Sequence, residues 1–379
     1  MGPTNKKKIL FLTGTRADFG KLKPVASELK NDSHFDIHFF ATGMHMLQRF
    51  GYTYNEIVKA GFGDNLFPYF NQAETNTMEE VLADTIHGLS RYVKSLNPDL
   101  LVVHGDRVEA LAGAIVGSLL NIRIAHLEGG EVSGTVDESI RHSVSKLSHH
   151  HFVANDRASK LLLRLGESKD RIHVVGSPDL DIMASQLPPL KEVMSHYNIP
   201  FKEYAIAALH PVTTATLVER YEQAMVFVSC LLESGLNYVV IYPNNDLGYD
   251  QIMQAYARLE DNPRFLIFPS LRFEYFLSLL KSAQLIIGNS SAGVRESPFW
   301  GVPSVNVGNR QYSRANSPSI KHCAFNRECI IHGIQTSLKK KRFKATQEFG
   351  AGDTSKKVIK ILKQHHFWEM PLQKHFGIQ

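Results

Sequence analysis

The sequence predicts an α/β protein of two domains, each a parallel sheet covered by helices. Three observations carry that expectation. At 379 residues the chain exceeds the roughly 100–200 residues of a usual single domain. Runs of four to seven apolar residues alternate with longer amphipathic stretches, which is the pattern of βαβ units. The rhythm pauses around Gly176-Ser177-Pro178, breaks again at Leu187-Pro188-Pro189, and then restarts.

In the first half, Ile9 to Leu12 reads as a buried strand, followed by a loop from Gly14 to Gly20 and a helix to about Lys30. Phe35 to Ala41 is a second strand. Met78 to Leu96 has apolar residues at helical spacing. Leu100–His104, Ile122–Leu127, His151–Ala154 and Ile172–Val175 read as strands, with helices over Val108–Leu120 and Asp137–Leu147 between them. After the pause, the expected strands are Tyr204–Leu209, Tyr238–Tyr242, Phe265–Phe268, Leu285–Ile287 and Ser304–Val307. The helices between them are Val218–Ser234, Phe273–Lys281 and Ala292–Trp300. A last helix spans about Ser355 to Gln364. The expected divisions are 1–180, 181–355 and a C-terminal helical segment, 356–379.

Composition narrows the function. Lys and Arg number 42 against 37 Asp and Glu, a modest excess that fits an anionic small substrate and does not argue for nucleic acid. The basic run Lys339-Lys340-Lys341-Arg342 is short and lacks interleaved aromatics, so it reads as a solvated helix end or loop. Cys230, Cys323 and Cys329 are too few for a disulfide framework and have no zinc-site spacing, even with His322 nearby. The adjacent His149, His150 and His151 would alternate faces of a strand and cannot share one metal. No metal and no cofactor are expected. No run reaches the length of a membrane helix, and the polar start lacks a signal-peptide core, so the cytoplasm is expected.

Two loops suit phosphate. Gly14-Thr15-Arg16-Ala17-Asp18-Phe19-Gly20-Lys21 follows the first strand, with Arg16 and Lys21 supplying charge. It matches neither the Walker nor the GxGxxG order and is weak alone. Gly288-Asn289-Ser290-Ser291-Ala292-Gly293-Val294-Arg295-Glu296 follows a strand and is expected to open a helix. Its small residues suit a diphosphate, and Glu296 suits the two hydroxyls of a ribose, or simply favours the helix dipole. Carboxylates sit near successive strand ends: Asp106 after Leu100–His104, Glu128 after Ile122–Leu127, and Asp137 at the next helix start. Strand ends of a parallel sheet converge on one crevice. Clustered acids there can differ in protonation and can remove and deliver a proton at one carbon. Asp106 could instead cap a helix, and Asp137 could pair with Arg141. Glu128, followed by Gly129-Gly130, is expected to have room for a substrate beside it. His210, in His210-Pro211-Val212-Thr213, is an acid/base or phosphate candidate or a structural residue.

Six motifs in order resemble the UDP-N-acetylglucosamine 2-epimerase family over nearly the whole chain. They are Gly14 to Leu22, His104-Gly105-Asp106-Arg107-Val108-Glu109-Ala110-Leu111, Glu128-Gly129-Gly130-Glu131 with Ser133 to Asp137, Gly176-Ser177-Pro178, His210 to Thr213, and Gly288 to Gly293. Within the family the sequence is most similar to the hydrolysing bacterial enzymes of sialic acid synthesis and to the epimerase half of the bifunctional animal enzyme. The resemblance implies two Rossmann-like domains in the GT-B arrangement, an interdomain active-site cleft, and a last helix crossing back to the first domain. It implies catalysis by Asp106, Glu128, Asp137 and His210. It implies UDP binding by Arg16, Lys21, Arg272, Ser290, Ser291, Gly293, Glu296 and Arg314. Non-hydrolysing members carry a Thr-rich segment after His-Gly-Asp, whereas Arg107-Val108-Glu109-Ala110 looks like the hydrolysing branch. The implied reaction takes UDP-GlcNAc and water to ManNAc and UDP. The competing readings are an epimerase of UDP-diacetamido sugars for legionaminic acid, a GT-B glycosyltransferase, and a nucleotide-sugar sensor. A homodimer or homotetramer acting on a UDP-sugar is expected, with neither nucleic acid nor membrane as partner.

Overall fold

The computed structural model describes residues 6–73, 76–132, 136–244, 246–312 and 314–375. The chain divides into two units, one built on 1–131, 137–185 and 349–379 and the other on 186–348.

The first unit runs β1 (Lys7–Thr13), α1 (Arg16–Lys30), β2 (Phe35–Ala41), α2 (Asn55–Ile57), β3 (Leu66–Pro68), α3 (Met78–Leu96), β4 (Leu100–His104) and α4 (Val108–Leu119). It continues with β5 (Arg123–Leu127), α5 (Val136–Leu147), β6 (His150–Val153), α6 (Asp156–Arg164), β7 (Ile172–Val174) and α7 (Pro178–Ala184). The seven strands form one parallel sheet in the order β3-β2-β1-β4-β5-β6-β7. Both faces are covered, so the middle of the two central strands is a continuous apolar run, Ile9–Leu12 in β1 and Leu100–Val103 in β4. Ile9 and Phe11 of β1 pack with Leu22 and Val25 of α1, while Leu10 and Leu12 pack with α3 and α4. The chain builds outward in both directions from the β1–β4 pair. The loops leaving these two strands therefore diverge and open a crevice at their C-terminal ends.

The second unit contains α8 (Leu190–His196), β8 (Ala205–Ala208), α9 (Leu217–Ser234), β9 (Tyr238–Ile241), α10 (Tyr249–Tyr256), β10 (Phe265–Phe268) and α11 (Phe273–Ser282). After these come β11 (Ile286–Gly288), β12 (Ser304–Val307), β13 (Ile320–Cys323) and α12 (Arg327–Lys340). Its parallel sheet has the order β10-β9-β8-β11-β12-β13. Thr216 and Glu219 form a reciprocal capping box at the start of α9, and Gly235 ends it in the left-handed conformation. The helices α13 (Thr354–Leu362) and α14 (His365–Glu369) belong to the first unit, where Val358, Leu362 and Phe367 enter the core with Phe11. Arg123 fixes this end of the chain by donating to the carbonyls of Trp368 and Met370 at 2.7 and 2.9 Å, and Arg171 donates to that of Pro371 at 2.7 Å.

One expected element is absent. Residues 292–300 do not form a helix but two 3-10 turns, Ser291–Gly293 and Ser297–Trp300, with Glu296 between them. Pro298 has no N–H to continue a helix, and Gly293 disfavours one. The Ser297 hydroxyl also takes the Gly293 carbonyl at 2.8 Å. The edge strands β3 and β13 are unexpected, since Leu66-Phe67-Pro68 ends in proline and Ile320-Lys321-His322-Cys323 is interrupted by polar residues, so neither offers the apolar run that marks the other strands. The basic run coincides with the end of α12, where Lys341 has φ +53°. Cys230 and Cys323 are buried in the second unit's core. Among the described residues, no helix is long and apolar enough to cross a membrane.

Candidate active site

In the first unit, several of the candidate side chains gather at the C-terminal edge of the sheet. His104 is the last residue of β4, and Glu128 directly follows β5. Glu128 sits at φ +63°, in the left-handed region that bulky residues rarely adopt. Its backbone N–H is held by Phe152 O at 2.9 Å, and its carbonyl receives Arg141 Nη1 at 2.6 Å. This held, costly conformation points the carboxylate inward, where it is 2% exposed. Ser177 donates to Oε1, and His104 Nε2 lies 3.0 Å from Oε2. Lys21 Nζ lies 3.6 Å from the same Oε2 and 3.4 Å from Asp179 Oδ2.

The other nitrogen of His104, Nδ1, lies 3.2 Å from Asp18 Oδ1. Both ring nitrogens therefore donate to carboxylates, and the ring is an imidazolium. Burial opposes its charge, but the Glu128 and Asp18 carboxylates outweigh that and raise its pKa to about 9. Burial likewise works against ionising Asp18, yet the hydrogen bond and charge of His104, with the charge of Arg107, hold its carboxyl below the usual range. His126 plays a different part. Its Nε2 donates to Gly105 O at 2.8 Å and its Nδ1 meets Ser145 Oγ at 3.0 Å. Burial pushes its pKa down to about 3, so it stays neutral and holds the loop carrying Asp106.

Asp106 is 23% exposed at its side chain and pairs with the buried guanidinium of Arg141. Arg141, considered from the sequence as a partner for Asp137, thus joins Asp106 to the Glu128 backbone. Asp137 lies half-buried in the first turn of α5. Ser133, Gly134 and Thr135 lie outside the described residues. Arg16 opens α1 with Nη2 3.4 Å from Glu56 Oε1. The space beside Gly129 and Gly130 is not open. An added Cβ on Gly129 would lie 2.7 Å from His126 Nδ1, and one on Gly130 would strike Ala158 O. These glycines admit close packing of the protein rather than a ligand.

The second unit carries the other loop. Gly288 has φ +132° and approaches β8 so closely that a Cβ would overlap Ala208 O. Asn289 grips the backbone of His210 in both directions, accepting from its N–H at 2.6 Å and donating to its carbonyl at 2.8 Å. Asn244 N–H donates to His210 Nδ1 at 3.1 Å, which puts the proton of the neutral ring on Nε2. Ser290 and Ser291 are half-buried in the first turn, and Gly293 packs on Ser304 Oγ. Glu296, only 2% exposed, lies in the loop core rather than on a helix. Arg314 is buried and donates to Gln311 Oε1 at 2.9 Å, while Gln311 Nε2 donates to Asn289 O at 3.2 Å. Arg272 precedes α11, with its guanidinium 5.4 Å from the Tyr275 ring centre.

Sequence reasoning named Asp106, Glu128 and Lys21 but missed His104, Asp18, Arg141, Ser177 and Asp179 as their partners. His104, Asp18 and Ser177 all lie inside the quoted motifs, and that was the available signal.

A family model described as UDP-N-acetylglucosamine 2-epimerase matches residues 27–363. The chain is 45% identical over 375 residues to a UDP-N-acetylglucosamine 2-epimerase of Neisseria meningitidis serogroup B, covering 98% of both chains. It is 33% identical over 361 residues to the hydrolyzing UDP-N,N'-diacetylbacillosamine 2-epimerase of Legionella pneumophila, covering 94% of this chain and 96% of that one. A crystal structure of UDP-GlcNAc 2-epimerase from Neisseria meningitidis bound to UDP-GlcNAc superposes with a TM-score of 0.76 at 17% identity, covering 94% and 99%. At that identity the likeness is one of fold: two parallel sheets layered with helices.

Proposed function

The chain belongs to the UDP-N-acetylglucosamine 2-epimerase family, and from that premise we propose that it hydrolyses UDP-GlcNAc with inversion at C2, releasing UDP and ManNAc. Free ManNAc would feed sialic acid synthesis and, through it, capsule polysaccharide. The observation that carries the reading is the buried imidazolium of His104 between Asp18 and Glu128, beside the Asp106–Arg141 pair. Inversion at a carbon needs a proton taken from one face and another delivered to the opposite face. A charged ring bridging two carboxylates stores such a proton at the crevice edge. Relatives named as hydrolyzing support the hydrolytic form.

The C2 proton is too weakly acidic for simple removal by a side chain. We assign an elimination instead: the C1–O bond to UDP breaks as C2 loses its proton, leaving a 2-acetamidoglucal. Water then adds to C1 and C2 regains a proton on the other face. In the first unit, Glu128 serves one face through its link to His104. Asp106 and Asp137 serve the other face and the water, and Arg16 and Lys21 supply positive charge. In the second unit, Ser290, Ser291 and Gly293 hold the diphosphate, Glu296 the ribose, and Arg272 and Arg314 the remaining nucleotide charge. His210 assists where the diphosphate departs.

The test is turnover of UDP-GlcNAc in D2O followed by NMR. The expected product is ManNAc with deuterium at C2, and wholly retained protium at C2 would refute the elimination. The relative acting on a diacetamido sugar favours one second reading, a UDP-diacetamido-trideoxyhexose substrate. Parallel incubation with that sugar decides between them by which is consumed faster.

A further inference from the structure

The proposed roles leave one of the six motifs, Gly176-Ser177-Pro178, without a part. It opens α7, with Pro178 at the first helical position, where a missing N–H costs nothing. Ser177 stands at the N-cap. A serine there ordinarily accepts from a backbone N–H of the first turn, but this side chain makes no such bond. It is fully buried, and its hydroxyl donates instead to Glu128 Oε1. Asp179 follows in the first turn, where an acid suits the helix dipole without needing burial. It is nonetheless 1% exposed, and its Oδ2 lies 3.4 Å from Lys21 Nζ, which is in turn 3.6 Å from Glu128 Oε2.

The backbone beneath these two side chains is anchored to the segment that leads into α13. Ser177 N–H donates to Phe349 O at 2.7 Å, and the Ser177 carbonyl accepts from Thr354 Oγ1 at 3.1 Å. Gly176, at φ +95°, lets that segment come close, since a Cβ there would lie 2.8 Å from Thr354 Oγ1. Asp181 of α7 accepts from the N–H groups of Thr354 and Ser355 at 2.8 and 2.7 Å. Keeping a carboxylate ionised at the depth of Glu128 is costly unless donors meet it. Glu128 must stay ionised to hold the charge on His104. Ser177 meets one of its oxygens, and His104 and Lys21 approach the other. We infer that Ser177 and Asp179 are positioning residues for Glu128, Ser177 through its own hydrogen bond and Asp179 by anchoring Lys21 beside the carboxylate. Both lie too deep to meet the sugar and act only through Glu128.

This inference rests on the epimerase reading, and the experiment separates the two. Full-length Ser177→Ala and Asp179→Asn are made alone and in a Glu128→Gln background, and turnover of UDP-GlcNAc is followed by NMR. Rates are normalised to folded protein by near-UV circular dichroism. In the wild-type background each substitution should lower kcat about tenfold, the lower range for a bond to a charged group, and change KM by less than about twofold. In the Glu128→Gln background the same substitutions should lower kcat by less than about twofold, because the carboxylate they act on is gone. A merely structural role lowers the rate by the same factor in both backgrounds. If Ser177→Ala does not fold, the near-isosteric Asp179→Asn decides alone by the same outcomes. Equal losses in the two backgrounds, or no loss in the first, overturn the inference and leave the reading standing. A wild type that consumes no UDP-GlcNAc overturns the reading and the inference with it.

Discussion

Replacing His104 by Gln removes the charge that bridges Asp18 and Glu128 while keeping a similar volume. In the folded protein the ring's pKa rises from 6.5 to about 9. At ~1.4 kcal/mol per unit, that shift corresponds to about 3 kcal/mol favouring the folded state with the ring protonated. The ring is buried and meets two carboxylates, so solvent screening removes little of it. Because the folded pKa is raised, the stabilisation is fully present below pH 6.5 and is lost as the pH climbs through about 9. His104→Gln should therefore be less stable than wild type by about 3 kcal/mol in mild acid. The gap should shrink across that window and nearly close above it. The two tryptophans divide between the units, Trp368 in the first and Trp300 in the second. In a Trp300→Phe background, Trp368 fluorescence during urea unfolding reports the first unit alone. A stability difference that stays constant from pH 6.5 to above 9 would show that the ring is not an imidazolium in the fold.

Asp106→Asn and Glu128→Gln should each lower turnover by at least about a hundredfold while still binding UDP in calorimetry, and near-normal rates in both would remove the acids from the mechanism. Glu296→Gln should weaken UDP binding by about 1–2 kcal/mol if the carboxylate accepts ribose hydroxyls; unchanged affinity in a normally folded variant contradicts that role. Gly288→Ala should destabilise the second unit by more than about 2 kcal/mol, since a Cβ would overlap Ala208 O at a φ disfavoured for alanine. Trp300 fluorescence during unfolding measures it, and a wild-type midpoint would mean that β8 and β11 can separate without cost.

The sequence by itself determined the class of fold, because strand and helix periods are local. β1, β2, β4 and β10 fall where alternating apolar runs place them. It also determined which carboxylates stand near strand ends, since Glu128 directly follows β5 and Asp106 lies two residues beyond β4 within their motifs. Residues 292–300 misled because apolar spacing favoured a helix, although the opposing Gly293 and Pro298 were in plain view. What only the tertiary structure decided were partnerships made across long stretches of chain. Ser177 reaches Glu128 over 49 residues and His104 reaches Asp18 over 86, and no local period encodes such pairings. The same limit hid what the glycines do. Gly129 and Gly130 look like room for a ligand in the sequence, but they are filled by His126 and Ala158. Gly14 and Gly43 look like ordinary turn residues, yet the Glu109 carboxylate packs where a Cβ on either would lie. Whether a missing side chain makes space for solvent, substrate or another strand depends on what folds against it, which is a property of packing in three dimensions.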